Sequence, residues 1–321
     1  MNHLQKIVHF ILGANPLEHL HCRCTACAPG ASDSAPTETR AAGNRMAISK
    51  FIDINGLKLH YIDYGREGRP YLILLHGLNG NAHAFDVVAA NLTASHHVIA
   101  LDLRGHGDSQ WGPPDGYTPP NYLGDIGSFL KGLSIEKASF IGSSMGGAMA
   151  MIFATLAPNL VDRLVLNDIG GEIVIEAPDP AQPALSDRRF RTIADATRFY
   201  RESFHPVALL PELVAARLTS DSVKIGADGM LVWKTDPAVN SGAGTGGASG
   251  SRVIQMWSFY QKVKAPVLIV RGAESSALTR ETVSKMLSVL PGTRAVEVPG
   301  VGHTPWLNEP VALQALRDFL T

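Results

Sequence analysis

The sequence predicts an α/β fold: a mostly parallel sheet with helices on both faces, interrupted once by an inserted segment. Three observations carry this. Apolar runs of strand length alternate with stretches of helical spacing along most of the chain. One such run, residues 138–141, stops at Gly142-Ser143-Ser144-Met145-Gly146-Gly147 and continues at once into a small-residue helical stretch over 148–154. The alternation is lost between about 172 and 250 and then resumes.

The chain has 321 residues, enough for one large domain with an insertion, or for two domains. Lys and Arg number 28 against 29 Asp and Glu, with no basic stripe for a nucleic acid and no acidic tail for a basic partner. The longest apolar runs, such as 72–75 and 267–270, are strand-sized, so no membrane-spanning helix is expected. The three cysteines, Cys22, Cys24 and Cys27, lie together near the N-terminus. No disulfide framework is therefore expected, which fits a reducing, cytoplasmic setting.

Residues 1–45 read as a disordered or artefactual N-terminal extension. The apolar run 7–12 is broken by His9, and no A-x-A-like cleavage site follows, so it makes a poor secretory signal. His19, His21, Cys22, Cys24 and Cys27 are potential metal ligands, but they crowd into nine positions with no second half to close a tetrahedral site, and no metal is expected. From Met46 the chain reads as ordered. Alternating residues 51–54 and 57–62 flank Asn55-Gly56, which predicts a hairpin. Residues 71–75 and 97–101 are continuous apolar runs, as expected of strands covered on both faces. Residues 122–133 have helical spacing; 138–141, 163–167, 267–270 and 294–298 are further strands; 311–320 is a closing amphipathic helix. Within the insertion, 188–204 and 206–218 read as helices and 240–251 as a flexible glycine-serine loop. Trp233, Trp257, Phe259 and Tyr260 either line a pocket or pack the insertion onto the core.

Gly142-x-Ser144-x-Gly146 between strand and helix fits a nucleophile elbow, a tight turn that lifts a serine off the sheet. Glycine two residues to either side removes collisions with the strand and helix. Four further segments support that reading. His76-Gly77-Leu78-Asn79-Gly80 follows a strand and offers the N–H of Leu78, which with that of Met145 makes a pair of donors for an oxyanion. The segment 102–109, Asp-Leu-Arg-Gly-His-Gly-Asp-Ser, reads as turn glycines with an Arg–carboxylate network, so His106 is assigned no catalytic role. His303, in Gly300-Val301-Gly302-His303-Thr304-Pro305-Trp306 after the last strand, is placed to act as general base on Ser144. For the acid behind the histidine the residues leave two candidates at strand ends, Asp168 and Glu274.

Together these segments make the chain from about 46 to 321 resemble the α/β-hydrolase superfamily, closest to cap-bearing bacterial esterase-type hydrolases. The resemblance rests on His76-Gly77, the segments 102–109, 142–147, 164–170 and 268–279, and 300–306, in order across the whole core. It implies a mostly parallel eight-stranded sheet, a core of 46–171 and 251–321, and a helical cap at 172–250. It also implies a Ser–His–acid triad, an oxyanion hole and no cofactor. Relatives usually carry Asp at the position of Ser276; some place the acid after the sixth strand, where Asp168 stands. Asp168 is therefore preferred, then Glu274, then a weakened triad without an acid. The expected function is a serine hydrolase of small or medium carboxylic esters, with Ser144, His303 and Asp168 catalytic. A lactonase or C–C bond hydrolase on the same fold, and a ligand-binding pseudo-enzyme, are the alternatives. The expected partner is a small-molecule ester, with no nucleic acid and no membrane.

Overall fold

The computed structural model describes residues 39–40, 46–65, 67–175, 187–241 and 252–321. The His19–Cys27 cluster and almost all of the expected extension lie outside them. In chain order the strands begin β1 (Thr39–Arg40), β2 (Met46–Ile54), β3 (Leu57–Asp63), β4 (Tyr71–Leu75), β5 (His97–Leu101), β6 (Ala138–Ser143) and β7 (Val161–Asn167). Between β7 and the return to the main sheet lie β8 (Glu172–Ile175), β9 (Arg189–Phe190), β10 (Val223–Ile225), β11 (Leu231–Trp233) and β12 (Arg252–Gln255), the last of them just past the expected cap end at 250. The chain then returns with β13 (Val267–Gly272) and β14 (Arg294–Val298).

The central sheet runs β1-β2-β3-β5-β4-β6-β7-β13-β14. It is parallel from β5 to β14 and antiparallel at its β1-β2-β3-β5 end. The eight expected strands are present, with the two-residue β1 added at one edge. The hairpin forms where Asn55-Gly56 stands: Ile54 pairs with Leu57, and both turn residues have positive φ, 52° and 79°. That is the two-residue geometry whose twist suits flanking strands.

The continuous apolar runs are explained by burial on both faces. Ile73, Leu75, Phe140, Leu164 and Leu166 face one core, filled by Phe129 of the helix Pro119–Gly132 and Phe153 of the helix Met145–Leu156. Leu72, Leu74, Ile141 and Val165 face the other, filled by Val88 of the helix Asp86–Leu92 and Phe319 of the helix Pro310–Leu320. Helices thus cover both faces, and the C-terminal ends of the parallel strands are left free to carry the functional loops.

The two ends of the insertion are zipped together: β8 pairs antiparallel with β12, Glu172 opposite Gln255 and Ile175 opposite Arg252. Beyond this ribbon the insertion is mixed rather than wholly helical. The helix expected over 188–204 starts only at Ile193, because the Thr192 side chain accepts from Asp195 N and caps it there. Upstream, β9 instead pairs with β11, which also pairs with β10. Helices Ile193–Ser203, His205–Ala208 and Glu212–Ser222 pack with this small sheet around Phe190, Tyr200, Leu218 and Trp233. Trp233 and Tyr260 are therefore core residues, not pocket walls; the Tyr260 hydroxyl meets Met286 O and Thr293 Oγ1 under the main sheet. Trp257 braces the ribbon, its Nε1 donating to Glu172 Oε2 at 3.1 Å. Of the expected glycine-serine loop, 242–251 lies outside the described residues.

The 102–109 segment is the structural network expected of it. Arg104 donates to both oxygens of Asp125, at 2.6 and 2.7 Å, and to Gly116 O, all out of solvent. Removing one partner of a buried, bidentate pair strands the other charge. Asp125→Ala is expected to cost about 3–5 kcal/mol of unfolding free energy, read as a fall in the urea midpoint.

Candidate active site

The site begins where β6 ends. Ser144 has φ 48° and ψ −115°, a strained backbone conformation for a residue with a side chain. It is held from both sides: Ser144 N donates to Asn167 O at 3.0 Å, and Ser144 O accepts from Ala148 N at 2.9 Å. The glycines around it are required by contact. A Cβ on Gly142 would lie 2.4 Å from Gly147 Cα, and one on Gly146 would lie 2.2 Å from Leu75 O. Strand β6, strand β4 and the helix Met145–Leu156 approach too closely at this turn for any side chain at either position.

His303 and Asp168 meet this serine. His303 Nε2 lies 2.9 Å from Ser144 Oγ, and His303 Nδ1 lies 2.7 Å from Asp168 Oδ2. A carboxylate can only accept, so Nδ1 carries the ring proton and Nε2 is left to accept from the serine. Asp168 directly follows β7, is fully buried, and has φ 54°. Its backbone N–H donates to Val270 O at 2.8 Å, and its Oδ1 accepts from Gly272 N at 3.0 Å. The other carboxylate named from the sequence, Glu274, is exposed, and so is Ser276. The carboxylate behind His303 is thus Asp168. Sequence reasoning missed Ser275, whose buried hydroxyl donates to Asp168 Oδ2 at 2.5 Å. Its one sequence signal is its place in the loop after β13, next to the candidate acid Glu274.

The loop after β4 flanks the serine on another side. A Cβ on Gly77 would sit 3.4 Å from Ser144 Cβ. His76 fixes this loop: its Nε2 accepts from Leu103 N at 3.0 Å, so its Nδ1 donates to Gly77 O at 2.7 Å. A trans peptide points its C=O and N–H in opposite directions, so holding Gly77 O on His76 aims the Leu78 N–H the other way. Among the described residues neither Leu78 N–H nor Met145 N–H donates to a protein acceptor. Asn79, the next residue, accepts from Asn240 Nδ2 at 3.2 Å, which stitches the insertion to this loop. Trp306 does the same for the histidine loop, its Nε1 donating to Pro206 O at 2.7 Å.

His106 stands apart from the Ser144–His303 pair. It is fully buried against His76, ring centroids 5.0 Å apart, with Nδ1 on Arg104 O. Burial is the main cause that lowers its pKa, to about 3. The unfolded chain, near 6.5, takes the proton first as pH falls, so the stability present above pH 6.5 declines toward pH 3. His106→Gln is expected to flatten urea-unfolding free energy between pH 7 and pH 4 relative to the parent chain; an unchanged slope would assign the acid sensitivity to other groups.

A second Ser–His–Asp line exists and differs in kind. Ser49 Oγ lies 2.7 Å from His60 Nε2, and His60 Nδ1 lies 2.7 Å from Asp102 Oδ2. Ser49 is inside a regular strand, not on a strained turn, and His60 is fully buried. Asp102 also accepts from Ala82 N and Asp108 N. Although burial opposes it, the His60 hydrogen bond and charge lower the Asp102 pKa to about 2. This line pins β2, β3 and β5 together. Two trios among the described residues could bring ligand atoms to one cation: His60, Asp102 and Asp108, and His83, Asp86 and Asp221. In the second, His83 Nδ1 is 3.1 Å from Asp86 Oδ2 and 3.9 Å from Asp221 Oδ2, and Arg217 Nε already holds Asp221 at 2.8 Å. Burial works to lower the His83 pKa, and the two carboxylates outweigh it and raise it.

Known proteins share both the fold and the chain's extent. Residues 70–310 match the family model described as alpha/beta hydrolase fold. The chain is 31% identical over 290 residues to the 3-hydroxybutyrate-oligomer hydrolase of Cupriavidus necator, covering 88% of this chain and 99% of that one. It is 27% identical over 257 residues to Esterase YbfF of Escherichia coli, covering 78% and 92%. Among solved structures, an alpha/beta hydrolase from Novosphingobium aromaticivorans superposes with a TM-score of 0.75 at 29% identity, covering 87% and 99%. No helix among the described residues is long and apolar enough to cross a membrane.

Proposed function

The chain belongs to the alpha/beta hydrolase fold family, and from that premise we propose that it is a serine hydrolase of small or medium carboxylic esters. The observation that carries the proposal is the unbroken hydrogen-bonded line from Ser144 Oγ through His303 to Asp168. Ser144 attacks the ester carbonyl. His303 Nε2 takes the serine proton and returns it to the leaving alcohol. Asp168 keeps the imidazole in the tautomer that can do this, and its charge stabilises the imidazolium that forms. The N–H groups of Leu78 and Met145 hold the oxyanion, helped by the N-terminus of the helix Met145–Leu156. Water, activated by the same histidine, then releases the acid from the acyl-enzyme.

The substrate class follows the site and its relatives. The Cupriavidus necator relative is named for an oligomer of a hydroxy acid, and an oligomer of that kind is joined by ester bonds. Short linear esters of hydroxyalkanoic acids are therefore the natural substrates to test beside simple alkyl esters. The experiment is a p-nitrophenyl ester series from acetate to long acyl chains, with 3-hydroxybutyrate dimers and trimers. Turnover concentrated in the short and medium members is expected. Absence of turnover throughout, with no fluorophosphonate adduct on Ser144, overturns the proposal in favour of a binding protein on this fold.

A further inference from the structure

We infer that Ser275 is a positioning residue of the triad: its hydroxyl, locked in one orientation, aims the Asp168 carboxylate at His303. The inference rests on the serine-hydrolase reading above and deepens it.

A buried carboxylate must have its lone pairs met by donors, or its charge is too costly to keep. Asp168 is fully shielded from solvent, and among the described residues three donors meet it. Gly272 N–H binds Oδ1 at 3.0 Å, while His303 Nδ1 at 2.7 Å and Ser275 Oγ at 2.5 Å converge on Oδ2. Among the described residues Ser275 is thus the one side chain other than the catalytic histidine that holds this oxygen. A serine hydroxyl has a single proton, and here its direction is set: Ser275 Oγ accepts from Leu278 N at 3.3 Å, so the proton points to Asp168.

The loop that carries Ser275 is itself fixed. Ser275 N donates to Gly272 O at 3.0 Å, and Ser275 O accepts from Arg271 Nη2 at 3.0 Å. Arg271 Nε also holds Leu278 O at 2.7 Å, and its Nη1 pairs with Glu297 at 2.5 Å. The charged or titratable groups that face this corner are His303 itself, Arg271 with its guanidinium committed to these partners, exposed Glu274, and the cap residue His205 beside Gly302. Among the described residues none of the others donates to the Asp168 carboxylate.

Two consequences separate positioning from simple packing. The hydroxyl draws part of the charge density of Oδ2 away from His303. Without it, Oδ2 keeps only His303 as a side-chain donor, and the charge it presents to the imidazolium formed in the reaction changes. The carboxylate also loses its fixed orientation, which lowers the rate of proton transfer.

The test is Ser275→Ala, with Ser275→Thr as the conservative variant that keeps a hydroxyl. The readouts are kcat for p-nitrophenyl butyrate, the acid limb of the kcat/KM profile and the thermal midpoint. Ser275→Ala is expected to lower kcat about tenfold or more and to displace the acid limb from its parent position. Ser275→Thr is expected to restore both to near parent values. Loss of thermal midpoint with an unmoved acid limb and parent kcat would overturn the inference and leave Ser275 a loop-packing residue. If Ser275→Ala fails to fold, Ser275→Cys, of similar size with a weak S–H donor, is read by the same acid limb. Asp168→Asn is measured alongside. Full activity in that variant defeats the triad reading itself, whereas its collapse beside an unaffected Ser275→Ala defeats only the role of Ser275.

Discussion

Ser144→Ala is expected to lower kcat toward small esters by about six orders of magnitude while leaving the fold intact. The residual rate would come from the oxyanion donors and binding alone. The size of the effect follows from how much structure is arranged around one oxygen. Two glycines are forced because a Cβ at either would lie only 2.2 or 2.4 Å from a backbone atom, and the serine itself is held at φ 48°. Its Oγ is delivered 2.9 Å from the one ring nitrogen free to accept its proton. Without the Oγ no acyl-enzyme forms, so burst kinetics vanish together with turnover. Alanine lacks only that oxygen and keeps the Cβ already accommodated at this turn, so the thermal midpoint is expected to stay close to that of the parent chain. A residual rate within a hundredfold of the parent would mean that another residue supplies the nucleophile.

Asp168→Asn is expected to lower kcat by about four orders of magnitude. The side chain keeps its shape and its place between Gly272 N, Ser275 Oγ and His303 Nδ1. Its amide, however, can present N–H to Nδ1. The ring then carries its proton on Nε2 and points a donor at Ser144, where an acceptor is needed. The imidazolium also loses its counter-charge. Glu274→Gln in the same assay is expected to change nothing, because that side chain is exposed and outside the hydrogen-bonded line. The two variants together separate a relocated acid from a triad that works without one.

Much of this was legible in the chain because the informative residues are local. The elbow, the hairpin at Asn55-Gly56 and the buried strands each follow from spacing within a few positions. Ser144 and His303 could be paired because each lies on a loop directly after a strand of the expected order. Asp168 was harder. Two carboxylates, Asp168 and Glu274, follow neighbouring parallel strands at the same sheet edge, and spacing alone cannot say which one turns inward. The deciding facts are three-dimensional: Asp168 at φ 54° directs its side chain under His303, while the backbone of Glu274 is tied to Val301 O and its carboxylate faces solvent. Ser275 was not legible at all, since one serine among Ser275-Ser276 carries no local mark of which hydroxyl faces the acid. The sequence reads as helical across the insertion because β9, β10 and β11 are two or three residues long, too short for a period-2 pattern to show. Spacing does not separate pocket from core for Trp233 and Tyr260 for a related reason: an aromatic residue fits either, and only burial distinguishes them.

The most direct test of the central claim, that Ser144, His303 and Asp168 act as one catalytic line, is to map a fluorophosphonate adduct by peptide mass spectrometry. The parent chain is expected to carry one adduct, on the peptide containing Ser144, formed at a rate that falls by orders of magnitude in Asp168→Asn and is unchanged in Glu274→Gln. No adduct on that peptide, an adduct on Ser49 in its place, or labelling of Asp168→Asn at the parent rate would contradict the account.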